Sequence, residues 1–92
     1  MTTDDGSYKI EFTAASKRQL ERIAEPGRTR VARVIAQLAI NPRPPGCRKL
    51  EAPIPLYRVR VGDYRVIHAI ADMIVTVTVT KVGHRSLVYR KR

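Results

Sequence analysis

Between Leu56 and His68 the chain reads Leu-Tyr-Arg-Val-Arg-Val, then Gly-Asp, then Tyr-Arg-Val-Ile-His. Successive side chains of an extended strand point to opposite faces, so Arg58 and Arg60 share one face while Tyr57, Val59 and Val61 share the other. Gly62-Asp63 has the composition of a two-residue hairpin turn, and such a turn sets Arg60 directly opposite Arg65. Like charges opposed across a sheet destabilise it. A fold that gathers three arginines on one hairpin face is therefore expected to offer them an anion, and a phosphate fits the guanidinium fork best.

The segment that follows extends the hairpin into a meander. Met73 to Thr80 alternates apolar residues with threonine, the pattern of a half-buried strand, and a second turn is expected near Ala71-Asp72. With two-residue turns at both places, Tyr64, Val66, His68 and Ile70 share a face with Val79, Val77, Val75 and Met73, and the two apolar faces agree. The same register sets Arg65 across from Thr78, with Thr76 and Thr80 beside the arginines. His68 then belongs to the core, as do Tyr57 and Tyr64.

Upstream, Tyr8-Lys9-Ile10-Glu11-Phe12 alternates in the manner of a short strand, and Thr13 is placed to cap a helix carrying Leu20, Ile23 and Ala24. Pro26-Gly27 stops that helix. A second is expected from about Arg28 to Ile40, with Val31, Val34, Ile35 and Leu38 on one stripe, ended by Asn41-Pro42. The break between them is short enough for an αα-hairpin. Residues 42 to 55 hold five of the six prolines and no periodicity, so they read as a loop. Residues 1 to 7 read as a polar, flexible tail, and the whole chain of 92 residues as a single domain.

Charge narrows the class of partner. The formal net charge is +10, and it is unevenly placed. Residues 1 to 25 carry four basic and five acidic side chains, while residues 26 to 92 carry fourteen basic and three acidic, a balance of +11. Eleven of those fourteen are arginine, which pairs with phosphate oxygens bidentately and stacks on bases, so nucleic acid is the favoured partner. The lone cysteine, Cys47, excludes an internal disulfide framework and fits a reducing cytoplasm; no base in its sequence context marks it as a nucleophile. No apolar stretch has the length of a membrane span, and the start is polar and acidic where a signal peptide is basic and then apolar. We therefore expect a cytoplasmic protein. Two histidines and eight scattered acids supply no zinc spacing and no paired carboxylates for a two-metal nuclease, and there is no glycine-rich phosphate loop, so no cofactor or metal is expected.

Three motifs in this order and spacing carry a family resemblance: Leu56-Tyr57-Arg58-Val59-Arg60, Gly62-Asp63-Tyr64-Arg65-Val66-Ile67, and Gly83-His84-Arg85 with Val88-Tyr89-Arg90. Together they resemble the RelE toxins of bacterial and archaeal toxin–antitoxin systems, from about Tyr8 to Arg90. The resemblance implies an α+β, RelE-like fold in which an N-terminal strand and an αα-hairpin pack on a small twisted, mainly antiparallel sheet with a three-strand meander. It also implies a ribosome-dependent endoribonuclease that cuts messenger RNA in the decoding site and is held inactive by a cognate, RelB-like antitoxin, and the positive charge of residues 26 to 92 implies that the antitoxin's toxin-binding segment is acidic. The family's functional basic pair falls on Arg58 and Arg60, its next arginine on Arg65, the arginine after the last strand on Arg85, and its carboxy-terminal tyrosine on Tyr89. This chain departs from the best-known members in having arginine where they have lysine at the hairpin pair, and in a shorter segment between Arg85 and Tyr89.

Cleavage of RNA by its own 2′-hydroxyl needs a base for that hydroxyl, stabilisation of an anionic phosphorane and an acid for the leaving 5′ oxygen. Fixed cations supply the second need, about 3–4 kcal/mol per well-placed donor, and Arg65 and Arg85 are the candidates. Arginine does not deprotonate in proteins, so Arg58 and Arg60 bind and align the RNA backbone. Proton transfer is left to Tyr89 and His84, the latter with an ordinary pKa near 6.5. Two other functions are the alternatives: a ParE-like toxin, which shares this fold but binds DNA gyrase, cuts no nucleic acid and generally lacks the basic and tyrosine set present here, and an RNA-binding module without catalysis.

Overall fold

The computed structural model describes Ser7 to Glu51 and Pro53 to His84. Five strands and two helices follow in the order β1 (Lys9–Phe12), α1 (Ala14–Glu21), α2 (Gly27–Gln37), β2 (Arg48–Leu50), β3 (Leu56–Val61), β4 (Tyr64–Ala71) and β5 (Thr76–His84). They form one sheet of order β1-β5-β4-β3-β2, parallel only between β1 and β5. The expected α+β architecture is therefore present, with the αα-hairpin covering one face of the sheet.

Local chemistry explains where the helices begin. The Thr13 side chain accepts from the Ser16 backbone N–H at 3.1 Å, satisfying one of the donors a helix start leaves open. The buried Ser16 hydroxyl is 2.7 Å from the Val79 carbonyl, and Gln19 Oε1 accepts from the Val82 N–H at 2.8 Å; together they bolt α1 to β5. Pro26 has no side chain to cap α2, and Glu25 caps it instead, accepting from both the N–H and the hydroxyl of Thr29 at 3.0 and 2.8 Å. Those hydrogen bonds, the hydroxyl's first, hold the Glu25 carboxyl below its ordinary pKa.

Between helices and sheet lies the core. Ile23, Val31, Ile35, Val66, Val79 and Val82 form one cluster, and Leu38, Val59 and Val77 the other. Each such side chain contributes about 1.5–3 kcal/mol on burial, against about 1 kcal/mol for a hydrogen bond. The apolar stripe thus holds α2 down, and the polar bolts decide where α1 sits.

Three expectations need correction. The turn after β4 is not two residues long: a 3-10 turn over Asp72–Ile74 is followed by Val75 in the left-handed region at φ 50°, and β5 starts only at Thr76. Met73 is 96% exposed, and Val75 is exposed as well. The longer turn, together with a bulge further along β5, sets Arg65 opposite Gly83 rather than Thr78. Within β5 the pairing jumps from Ile67↔Lys81 to His68↔Val79, leaving Thr80 as an extra residue whose hydroxyl donates to the Ile67 carbonyl at 3.2 Å. This bulge shifts the alternation by one, so Val77, Val79 and then Val82 all reach the core. Finally, the proline-rich stretch is not wholly a loop, because Arg48–Leu50 pairs with β3 as an edge strand.

Candidate functional site

The hairpin is built as its residues dictate. Gly62 adopts φ 60°, and among the described residues Asp63 is not in the positive region, the pattern of a II′ turn with glycine at its first central position. This turn fixes the pairs Arg60↔Arg65, Val59↔Val66 and Arg58↔Ile67. Since Val59 and Val66 face the helices, Arg58, Arg60 and Arg65 share the sheet's outer face.

A fourth arginine joins them. Arg48, on β2, is the cross-strand partner of Arg58, so two arginine pairs lie side by side across β2, β3 and β4. The one clue to Arg48 in the sequence is a basic pair beside the prolines, but three residues without alternation carry no strand signal. The face is also less open than a solvated strand surface: Arg58 and Arg65 are 8% and 9% exposed, whereas Arg48 and Arg60 are exposed. Arg48, Arg58 and Arg60, with Pro45, Gly46 and Val59, line a cavity of about 280 Å³.

A clasp holds the loop that walls this cavity. The Arg43 guanidinium sits 3.0 Å from Asp72 Oδ2, the Tyr8 hydroxyl donates to Asp72 Oδ1 at 2.7 Å, and Arg43 also lies 5.3 Å above the Tyr57 ring. The Arg43 hydrogen bond, with that from Tyr8, keeps the Asp72 carboxyl below its ordinary pKa. Tyr57 stacks in turn on His68 at 5.8 Å, and His68 Nε2 lies 2.9 Å from the Pro42 carbonyl. Neutral His68 protonated on Nε2 donates that bond. It is fully buried, in accord with its core assignment, and burial holds its pKa below 6.5. Burial likewise pushes the Cys47 thiol up, away from the thiolate a nucleophile needs.

His84 is placed elsewhere. It pairs with Tyr64 while Arg65 pairs with Gly83, and alternation puts it on the helix side of the sheet. Its ring meets Tyr64 edge-on at 5.9 Å, and it lines a cavity of about 470 Å³ with Gln19, Arg22, Ile23, Ala24, Tyr64, Val82 and Gly83. The fold thus brings Arg58, Arg60 and Arg65 together and leaves His84 behind them. Arg85 and Tyr89 lie outside the described residues. Among the described residues no three His, Cys, Asp or Glu side chains gather as metal ligands, and no helix is long and apolar enough to cross a membrane.

The same αα-hairpin over a mixed sheet occurs in solved toxin structures. The RelE–RelB complex of Pyrococcus horikoshii OT3 matches with a TM-score of 0.76 at 25% identity, over 86% of this chain and 96% of that one. The isolated E. coli RelE toxin shares the fold with a TM-score of 0.74 at 19% identity, over 85% of this chain and 84% of its own. In sequence, the chain is 30% identical over 93 residues to Toxin RelE of Mycobacterium tuberculosis (strain ATCC 25618 / H37Rv), covering 96% of this chain and 92% of the relative. Residues 10–89 match the family described as ParE toxin of type II toxin-antitoxin system, parDE. The chain belongs to the RelE/ParE toxins of type II toxin–antitoxin systems.

Proposed function

We propose that this toxin is a metal-independent endoribonuclease that cuts messenger RNA on the ribosome and is silenced by a cognate antitoxin. The observation that carries this reading is the pairing of Arg60 with Arg65 beside the pairing of Arg48 with Arg58, which sets four cations on three adjacent strands. A polyanion threaded over this face meets all four guanidinium groups in turn. Relatives named RelE, and a RelE–RelB complex among the structural matches, support the nuclease and the antitoxin respectively.

In the proposed reaction the 2′-oxygen attacks the adjacent phosphorus and the bond from phosphorus to the 5′ oxygen breaks, leaving a 2′,3′-cyclic phosphate and a 5′-hydroxyl. One proton leaves the 2′-hydroxyl and one reaches the departing oxygen. Arg65, with Arg85, meets the charge that builds on the phosphorane, worth about 3–4 kcal/mol for a single well-placed donor. Arg58 and Arg60 align the backbone and favour the alkoxide. Facing the helices, His84 is poorly placed for either proton, so proton transfer falls to Tyr89.

The match to the ParE family favours a second reading, a toxin that binds DNA gyrase and cuts nothing. One pair of assays separates them. Purified toxin is added to ribosomes carrying a defined message, with cuts mapped by primer extension, and in parallel to gyrase in a supercoiling assay. We expect discrete message cuts that depend on ribosomes, and unchanged supercoiling; gyrase inhibition without cuts overturns the nuclease reading.

A further inference from the structure

We propose that the cavity bounded by Arg48, Arg58 and Arg60 is a phosphodiester subsite that grips single-stranded RNA one step away from the cleavage position, with Arg48 as its outer binding residue. The inference rests on the nuclease reading above for its place beside the cut, and on geometry for the ligand class. Arg48 enters the row through the β2–β3 pairing, and the cavity's other wall is Pro45 and Gly46, where an added Cβ meets nothing within 4 Å. At about 280 Å³ it falls just below the roughly 300–1,000 Å³ of small-molecule pockets, room for one phosphate and part of its nucleoside.

Charge makes the choice of ligand. Among the described residues, all three charged side chains lining the cavity are arginines, and the three ion pairs, Lys9 with Glu11, Arg28 with Glu25 and Arg43 with Asp72, engage neither Arg48 nor Arg60. Arg58 and Arg60 stand two residues apart on one strand, about 6.8 Å, while Arg48 flanks Arg58 on the sheet edge. The row therefore runs from the edge strand toward Arg65, and a chain of phosphates laid along it meets Arg48 away from Arg65. The clasp of Arg43, Asp72 and Tyr8 keeps the Pro45–Gly46 wall in place before RNA arrives, which lowers the ordering cost of binding.

The test uses the full chain and a fluorescein-labelled, fully 2′-O-methylated RNA that cannot be cut, with binding read by anisotropy from 50 to 200 mM salt. Removing one cation that neutralises a phosphate lowers the slope of log affinity against log salt by about 0.7 for a single strand. We expect Arg48→Ala to lose about that much slope and roughly tenfold in affinity at low salt, Arg48→Lys to recover most of it by restoring the charge, and Arg33→Ala, on the helix side, to match wild type. A wild-type slope in Arg48→Ala, or an equal loss in Arg33→Ala, overturns the subsite. Message cleavage on ribosomes is measured separately: a slope loss in Arg48→Ala with no cleavage by wild type contradicts the nuclease reading alone, and normal cleavage with an unchanged slope contradicts the subsite alone.

Discussion

His68 and His84 differ by which face of the sheet they meet and by how deeply they are buried, and each difference has a measurable consequence. The folded state holds His68 neutral, because burial lowers its pKa and the Arg43 charge adds to the effect, against a smaller opposing pull from the Pro42 carbonyl. In the unfolded chain it titrates near pH 6.5. Below that value the unfolded state takes up a proton that the folded state refuses, so stability is complete above about pH 6.5 and falls as pH drops toward the lowered folded pKa. We expect Tm to fall between pH 7 and pH 5, and His68→Gln to flatten that decline while lowering Tm at pH 7 through loss of the Tyr57 stack. The lowered carboxyls of Asp72 and Glu25 lose their contributions only below about pH 4, a separate window; an undiminished slope in His68→Gln contradicts the assignment. For His84, on the helix side, we expect His84→Gln to keep single-turnover cleavage within about threefold, whereas Tyr89→Phe, which removes only a hydroxyl, slows it by about 100-fold or more. The reverse ranking returns proton transfer to the histidine.

The connection between β4 and β5 stores strain in one residue. Val75 is β-branched and sits at φ 50°, a conformation that costs L-residues about 1–2 kcal/mol and that asparagine tolerates far better. Val75→Asn should therefore stabilise the protein by about 1 kcal/mol, or roughly 4–8 °C in Tm for a domain of this size; an unchanged or lower Tm argues that Val75 makes compensating contacts. The same connection marks where the sequence stops being legible. The β3–β4 hairpin can be read because Gly62-Asp63 names its turn, and the αα-hairpin because Thr13, Pro26 and the Val31 to Leu38 stripe name its limits. Met73-Ile74-Val75 carries no glycine, proline or asparagine and continues the alternation of the following strand, so its 3-10 turn is masked. The bulge at Thr80 did leave a trace: the apolar positions move from odd at Val77 and Val79 to even at Val82, and only an inserted residue keeps all three on one face. Of the site, the three hairpin arginines were legible from strand alternation; Arg48 and the separation of His84 from the arginine face depend on pairings that local pattern does not encode.

At the scale of the whole molecule, charge and partner are coupled. A balance of +11 over residues 26 to 92, with four arginines on adjacent strands, favours an acidic partner, and an antitoxin that silences this toxin should present an acidic segment that folds on contact. Its association rate, measured by stopped flow with the co-encoded protein, is then expected to fall steeply as salt rises from 50 to 300 mM; a rate indifferent to salt, or a basic partner, contradicts that mode of control. The claim on which everything else depends is that the arginine face performs the cut, and Arg65→Ala tests it. Because Arg65 is 9% exposed, removing its stem should cost about 1 kcal/mol in stability, more than a solvated strand residue and too little to unfold the domain. The decisive measurement is the single-turnover rate of message cleavage on ribosomes by Arg65→Ala, taken on protein whose melting curve shows it folded. We expect a loss of about 100- to 1,000-fold with cooperative melting retained; a folded variant that cuts at the wild-type rate places the chemistry somewhere other than the arginine face.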